Sequence, residues 1–123
     1  MGKKILIVDD EEVIRKFLRI NLTHWGYEVE EAMDGVEALE QLKHNDFDLI
    51  ICDIIMPNKD GWEVLRGMRS SLRTKDIPVI ILTAKDEDTE MFKVYEIGAN
   101  YYMTKPFTKS QLQYGLRLMF GEN

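Results

Sequence analysis

Leu49-Ile50-Ile51-Cys52-Asp53 sets four apolar residues in unbroken succession against a carboxylate, and the same grammar recurs in Ile5-Leu6-Ile7-Val8-Asp9-Asp10 and Val79-Ile80-Ile81-Leu82-Thr83. A strand with one face in water alternates apolar and polar residues. A continuous apolar run marks a strand buried on both faces, as in a parallel sheet covered by helices. The intervals between the runs are long enough for right-handed crossover connections. Two weaker strands fit the remaining gaps: residues 27–32, with partial alternation, and residues 100–103, just after Gly98.

Ile14, Phe17, Leu18, Leu22 and Trp25 recur at helical spacing around the polar Asn21, which predicts a first helix. Asp34-Gly35 opens a second through Val36, Leu39 and Leu42, and Gly61 opens a third through Val64, Leu65 and Met68. A fourth is predicted over residues 86–97, stopping at Gly98. A fifth follows Pro106, carries Leu112, Leu116 and Met119, and is weakened by Gly115. Five parallel strands alternating with five helices predict the α/β class: a doubly wound sheet of flavodoxin-like type, strand order 2-1-3-4-5, with helices on both faces. The fifth helix would end a few residues before Asn123, so a single domain over residues 1–123, standing by itself, is expected.

Composition agrees with one soluble core. Of 123 residues, 45% are hydrophobic and 31% charged, and a net charge of −6 repels nucleic-acid phosphates and anionic lipid. Neither direct nucleic-acid binding nor a membrane partner is therefore expected. The one cysteine, Cys52, permits no internal disulfide and suits a reducing compartment, so the cytoplasm is the expected location. No apolar run reaches the roughly 18 residues of a membrane helix. His24 and His44, near a helix end and a loop, are expected to be solvated.

Ligands of open parallel sheets bind beyond the carboxyl ends of the strands. The residues there are Asp9, Asp10, Asp53, Thr83 and Lys105. Each alone has a plain structural use, as a helix cap or a turn residue. Together they do not, because carboxylates a few ångströms apart repel by roughly 4 kcal/mol per pair at an effective dielectric of 20. Lys105 offsets one charge, and a divalent cation would offset the rest. Oxygen ligands without a histidine or cysteine cluster favour Mg2+ over zinc. A carboxylate beside a metal, a lysine and a hydroxyl is the set that phosphoryl transfer to aspartate requires. On this reading Asp53 is the nucleophile, Asp9 and Asp10 hold the metal, and Thr83 and Lys105 receive the phosphoryl oxygens.

The motifs occur in a familiar order: Asp9-Asp10-Glu11, Asp34-Gly35 with Glu37-Ala38-Leu39, Asp53-Ile54-Ile55-Met56-Pro57 with Asp60-Gly61, Thr83-Ala84, Gly98-Ala99 and Lys105-Pro106-Phe107. Over essentially its whole length the chain resembles the receiver domain of two-component response regulators. The resemblance implies a phosphoacceptor switch, with Asp53 phosphorylated from a phosphohistidine on a sensor histidine kinase or histidine phosphotransfer protein. It implies that Asp10 binds Mg2+ directly and Asp9 through water, with Asp53 and the backbone carbonyl of Ile55 as further ligands. It also implies that Lys105 contacts the phosphoryl group, that the Lys105-Pro106 bond is cis, and that Thr83 and Tyr102 form the switch pair. Such a domain catalyses its own aspartyl phosphorylation and dephosphorylation without being a conventional turnover enzyme.

Asn100 and Tyr101 stand where many DNA-binding relatives carry acidic residues, so the charge-paired dimer face of that subfamily is not carried over. The resemblance also implies that Ile55 and Lys85, two residues beyond the acceptor and the switch threonine, flank the entry of attacking water, and the bulk of Ile55 is expected to slow loss of phosphate relative to Ile55→Asn. An output partner is expected on the face of the fourth helix, fifth strand and fifth helix, presenting Met91, Phe92, Tyr95, an exposed Tyr101 and part of Leu112. Two other enzyme or cofactor classes fail on particular positions. A haloacid-type phosphatase needs an aspartate where Ile55 stands, and a flavodoxin needs a phosphate-binding loop where residues 9–12 are acidic. The competing reading is a pseudo-receiver, a protein-binding module of the same fold that never turns over phosphate.

Overall fold

The computed structural model describes residues 2–54, 56, 60–84, 96 and 98–121. Five strands, β1 (Lys4–Val8), β2 (Glu28–Ala32), β3 (Leu49–Asp53), β4 (Val79–Ala84) and β5 (Tyr101–Lys105), form one sheet in the order β2-β1-β3-β4-β5. Every pairing is parallel. Among the described residues there are four helices: α1 (Glu12–His24), α2 (Gly35–His44), α3 (Gly61–Arg69) and α4 (Lys109–Phe120), the last being the fifth helix of the sequence reading. The helix predicted over 86–97 lies outside the described residues, apart from the helical Glu96.

The three apolar runs are the central strands, and all of their residues are buried. Their side chains divide by parity, as a period of two requires. Leu6, Val8, Ile50, Cys52, Val79 and Ile81 pack with α2 and α3 on one face. Ile5, Ile7, Leu49, Ile51, Ile80 and Leu82 pack with α1 and α4 on the other. Two-sided burial of this kind is worth roughly 1.5–3 kcal/mol for each large aliphatic side chain, and it leaves only the strand ends for chemistry.

Helix starts follow local chemistry. The Asp34 side chain accepts from Glu37 N at 2.9 Å, and Asp60 and Glu63 form a reciprocal capping box at the start of α3. Asn21, the polar interruption of α1, is buried and donates to Phe17 O at 2.8 Å, so it stays within its own helix.

Several expectations need correction. β5 begins one residue later and ends two later than the 100–103 reading. The reason is that the Asn100 side-chain carbonyl accepts from Val79 N at 2.9 Å and Arg69 Nη2 at 3.1 Å, so Asn100 anchors the strand's entry. Asp53 and Thr83 are the last or next-to-last residues of their strands rather than the residues beyond them. Leu112 is fully buried, in the core between α4 and the sheet. Tyr101 is half-buried, not exposed, because its ring lies over Gly115, where a Cβ would come within 3.1 Å of Tyr101 Cε2. The glycine read as a weakness of the last helix is the seat of that ring, and α4 continues through it unbroken.

Candidate functional site

Of the candidate residues that the structure describes, all but Tyr102, the second residue of β5, lie at the carboxyl edge of the sheet. β1 delivers Asp9 and Asp10, β3 Asp53, β4 Thr83 and β5 Lys105, because a parallel sheet with this register brings the ends of alternate segments together. Asp53 pairs with Leu82, and Ala84 with Lys105. Two backbone bonds fix the edge, Asp9 N to Ala32 O at 3.2 Å and Ile54 N to Leu82 O at 3.0 Å.

Asp9, Asp10, Glu11 and Asp53 each turn one carboxylate oxygen into a common space in which those atoms all lie within 4.8 Å of one another. Asp9 and Asp53 are buried, whereas Asp10 and Glu11 are exposed. Lys105 Nζ stands 2.7 Å from Glu11 Oε2, 2.9 Å from Asp9 Oδ2 and 3.3 Å from Asp53 Oδ2. Asp9 Oδ1 accepts from Glu11 N at 2.8 Å, while the buried Asp9 Oδ2 meets Lys105 without hydrogen-bond alignment.

The electrostatics follow from this crowding. Burial pushes the Asp9 carboxyl above the ordinary carboxylate range, and the Glu11 amide and Lys105 pull it down without reversing the shift. For Lys105 burial acts downward, yet the hydrogen bond to Glu11 and the nearby charges of Asp9 and Asp53 outweigh it and hold the ammonium above its usual value.

An all-oxygen donor set with a buried, poorly satisfied carboxylate oxygen fits a hard dication such as Mg2+. The nearby thiol does not compete for a softer metal. Cys52 is buried, which pushes its pKa up, and its Sγ donates to Asp53 O at 3.3 Å. The resemblance-implied ligand Ile55 lies outside the described residues, as do Lys85, Met91, Phe92 and Tyr95.

Thr83 is buried in β4, and Tyr102 is half-buried in β5 against the α2/α3 face of the core. The Lys105-Pro106 bond is cis. His24 and His44 are exposed, with His44 Nε2 3.1 Å from Glu40 Oε1.

Sequence reasoning gave no separate role to two residues that shape this edge. Glu11 makes the shortest contact to Lys105, and the run of three acids was its signal. Arg15 donates from Nη1 to Asp9 O at 2.8 Å while its Nε reaches Glu31 Oε1 at 3.1 Å, tying the Asp9 backbone to β2. Nothing local to α1 marks that arginine.

A family model described as the response regulator receiver domain matches residues 5–117. The chain belongs to that family. This receiver domain is 40% identical over 119 residues to response regulator MprA of Mycobacterium sp. (strain KMS), covering 97% of this chain and 51% of that protein. It is 44% identical over 112 residues to the alkaline phosphatase synthesis transcriptional regulatory protein PhoP of Bacillus subtilis (strain 168), covering 91% of this chain and 46% of that protein. The chain thus spans about half the length of the curated relatives it matches. Among solved structures it is similar to a putative response regulator from Chloroflexus aurantiacus J-10-fl, with a TM-score of 0.93 and 34% identity over 99% of this chain and 100% of the other. It is also similar to the receiver domain of sensor histidine kinase PA1611 from Pseudomonas aeruginosa PAO1, with a TM-score of 0.90 and 30% identity over 99% of this chain and 100% of the other; that structure has a magnesium ion coordinated in the active site cleft. Among the described residues, no helix of this receiver domain is long and apolar enough to cross a membrane.

Proposed function

We propose that this receiver unit, taken over residues 1–123, is a phosphoacceptor switch in a cytoplasmic two-component phosphorelay, with Asp53 as the acceptor. The observation that carries the reading is the Asp53 carboxylate, buried at the end of the central strand and 3.3 Å from the Lys105 ammonium within a set of four converging acids. A carboxylate oxygen of Asp53 attacks phosphorus, the bond from phosphorus to the donor's imidazole nitrogen breaks, and the histidine leaves with that electron pair. Lys105 and the Thr83 hydroxyl supply donors to the transferred oxygens, so catalysis is largely electrostatic positioning. Asp9, Asp10 and Asp53, with the carbonyl of Ile55, would hold Mg2+, whose charge offsets the clustered acids and the incoming anion. The donor is a histidine kinase or phosphotransfer protein, and Thr83 and Tyr102 relay the change to an output partner on the β5/α4 side of the fold.

Incubation of the purified chain with Mg2+ and acetyl phosphate tests the reading by intact mass. A labile adduct of one phosphoryl group, absent from Asp53→Ala, is the expected result. No adduct, or one that survives Asp53→Ala, overturns it and leaves the pseudo-receiver, a binding module without phosphate turnover.

A further inference from the structure

Of the three carboxylates on Lys105, the acceptor Asp53 is the most distant and Glu11 the closest, at 3.3 and 2.7 Å. The Lys105 ammonium donates to Glu11 and Asp53 and stands against Asp9 Oδ2 as an ion pair without hydrogen-bond alignment, so its charge is already shared among three acids. A phosphoryl group on Asp53 would replace that carboxylate's charge with three more strongly charged acceptor oxygens, which compete with Asp9 and Glu11 for the one ammonium. Asp9 is a poor choice to release. It is wholly buried and held by the Glu11 amide at 2.8 Å, and a buried acid that loses its cation bears the full cost of desolvation. The Glu11 side chain is 57% exposed, so water can replace the lysine at little cost.

We infer that Glu11 is a positioning residue for phosphoryl transfer: it holds Lys105 in the unphosphorylated state and yields it to the phosphoryl group on Asp53. This rests on the phosphoacceptor reading above. The Glu11–Lys105 pair then sets how readily the adduct forms and how long it lasts, because Glu11 competes with the phosphoryl oxygens for one ammonium.

The test measures adduct formation from acetyl phosphate and adduct decay, at saturating Mg2+, for wild type, Glu11→Gln and Glu11→Asp. In the forward step an Asp53 oxygen attacks phosphorus and acetate leaves with the electron pair of the broken P–O bond. Both variants are expected to form the adduct roughly two- to fivefold faster, the range of a partly exposed ion pair, and to lose it more slowly. Glu11→Asp is decisive because it keeps the charge while its shorter side chain falls short of Lys105. Unchanged rates in both variants overturn the inference, as does acceleration in Glu11→Gln alone, which would mean that only the field of the charge matters. Either result leaves the phosphoacceptor reading intact, whereas a wild type that forms no adduct, or an adduct retained in Asp53→Ala, removes both.

Discussion

Arg69, the last residue of α3, donates twice to the carbonyl of Gly98, from Nε at 3.1 Å and from Nη2 at 2.6 Å. The same guanidinium reaches Lys75 O at 2.9 Å, Ile77 O at 2.7 Å and Asn100 Oδ1 at 3.1 Å. One planar fork therefore ties the entry of β5 to the connection leading into β4. Arg69→Ala should cost roughly 2–4 kcal/mol, since several part-buried carbonyls lose their donor at once. Arg69→Lys should recover little of it, because an ammonium cannot copy the fork. Urea denaturation of the two variants measures both effects; full recovery by lysine would show that charge rather than geometry matters.

Gly61 opens α3 against the end of β3 at a distance no side chain tolerates. A Cβ there would lie 2.4 Å from Asp53 O and 2.6 Å from Ile54 Cα, both backbone atoms. Gly61 N also donates to Ile54 O at 2.8 Å. Gly61→Ala should destabilise the fold by roughly 2–3 kcal/mol and, by displacing Asp53, slow adduct formation from acetyl phosphate. Chemical denaturation and intact mass read the two consequences separately.

Asp9 binds its proton more tightly when folded than when unfolded, so its contribution to stability falls as pH rises from its ordinary value near 3.8 through its raised folded value. Above that window the charged form opposes folding. Asp9→Asn should therefore raise Tm by a few degrees at neutral pH in the absence of Mg2+, and abolish the further rise that Mg2+ gives the wild type. Asp10→Asn, at an exposed position, should lose the Mg2+ response without the first effect. Thermal melts with and without Mg2+ decide both.

Lys105 presents the opposite sign. Its folded pKa lies above the ordinary 10.5, so its stabilisation is complete below that pH and is lost as pH climbs through the folded value. Lys105→Met, which leaves the buried Asp9 and Asp53 without their ammonium, should cost roughly 3 kcal/mol near neutrality. Its stability should also decline less steeply than that of the wild type above pH 10.5. Denaturation midpoints across the alkaline range measure the difference in slope.

Much of the fold was legible because its strongest signal is local. Continuous apolar runs 5–8, 49–52 and 79–82, short and rich in isoleucine and valine, read as strands covered on both sides, and acids or a threonine directly after them then fall at the carboxyl edge. Asn100 and Gly115 were not legible in the same way. Read along the chain, Asn100 is a missing acid and Gly115 a poor helix residue; in space the first accepts from Val79 N and the second makes room for the Tyr101 ring. Tyr101, and Leu112 in part, read as surface along the chain because β5 is an edge strand; in space α4 lies across it and Leu112 is fully buried.

The sequence by itself determined the α/β order, the strand set and the identity of the acids at the sheet edge, since periodicity, caps and chain order are properties of neighbours. Only the tertiary structure decided the partners within that edge: Lys105 closest to Glu11, 94 residues away, rather than to Asp53, and Asp9 held from behind by Arg15. The physical reason is that charge interactions depend on distance and burial. Both are set where strands distant in sequence end side by side, and no local pattern of residues encodes a separation of a few tenths of an ångström.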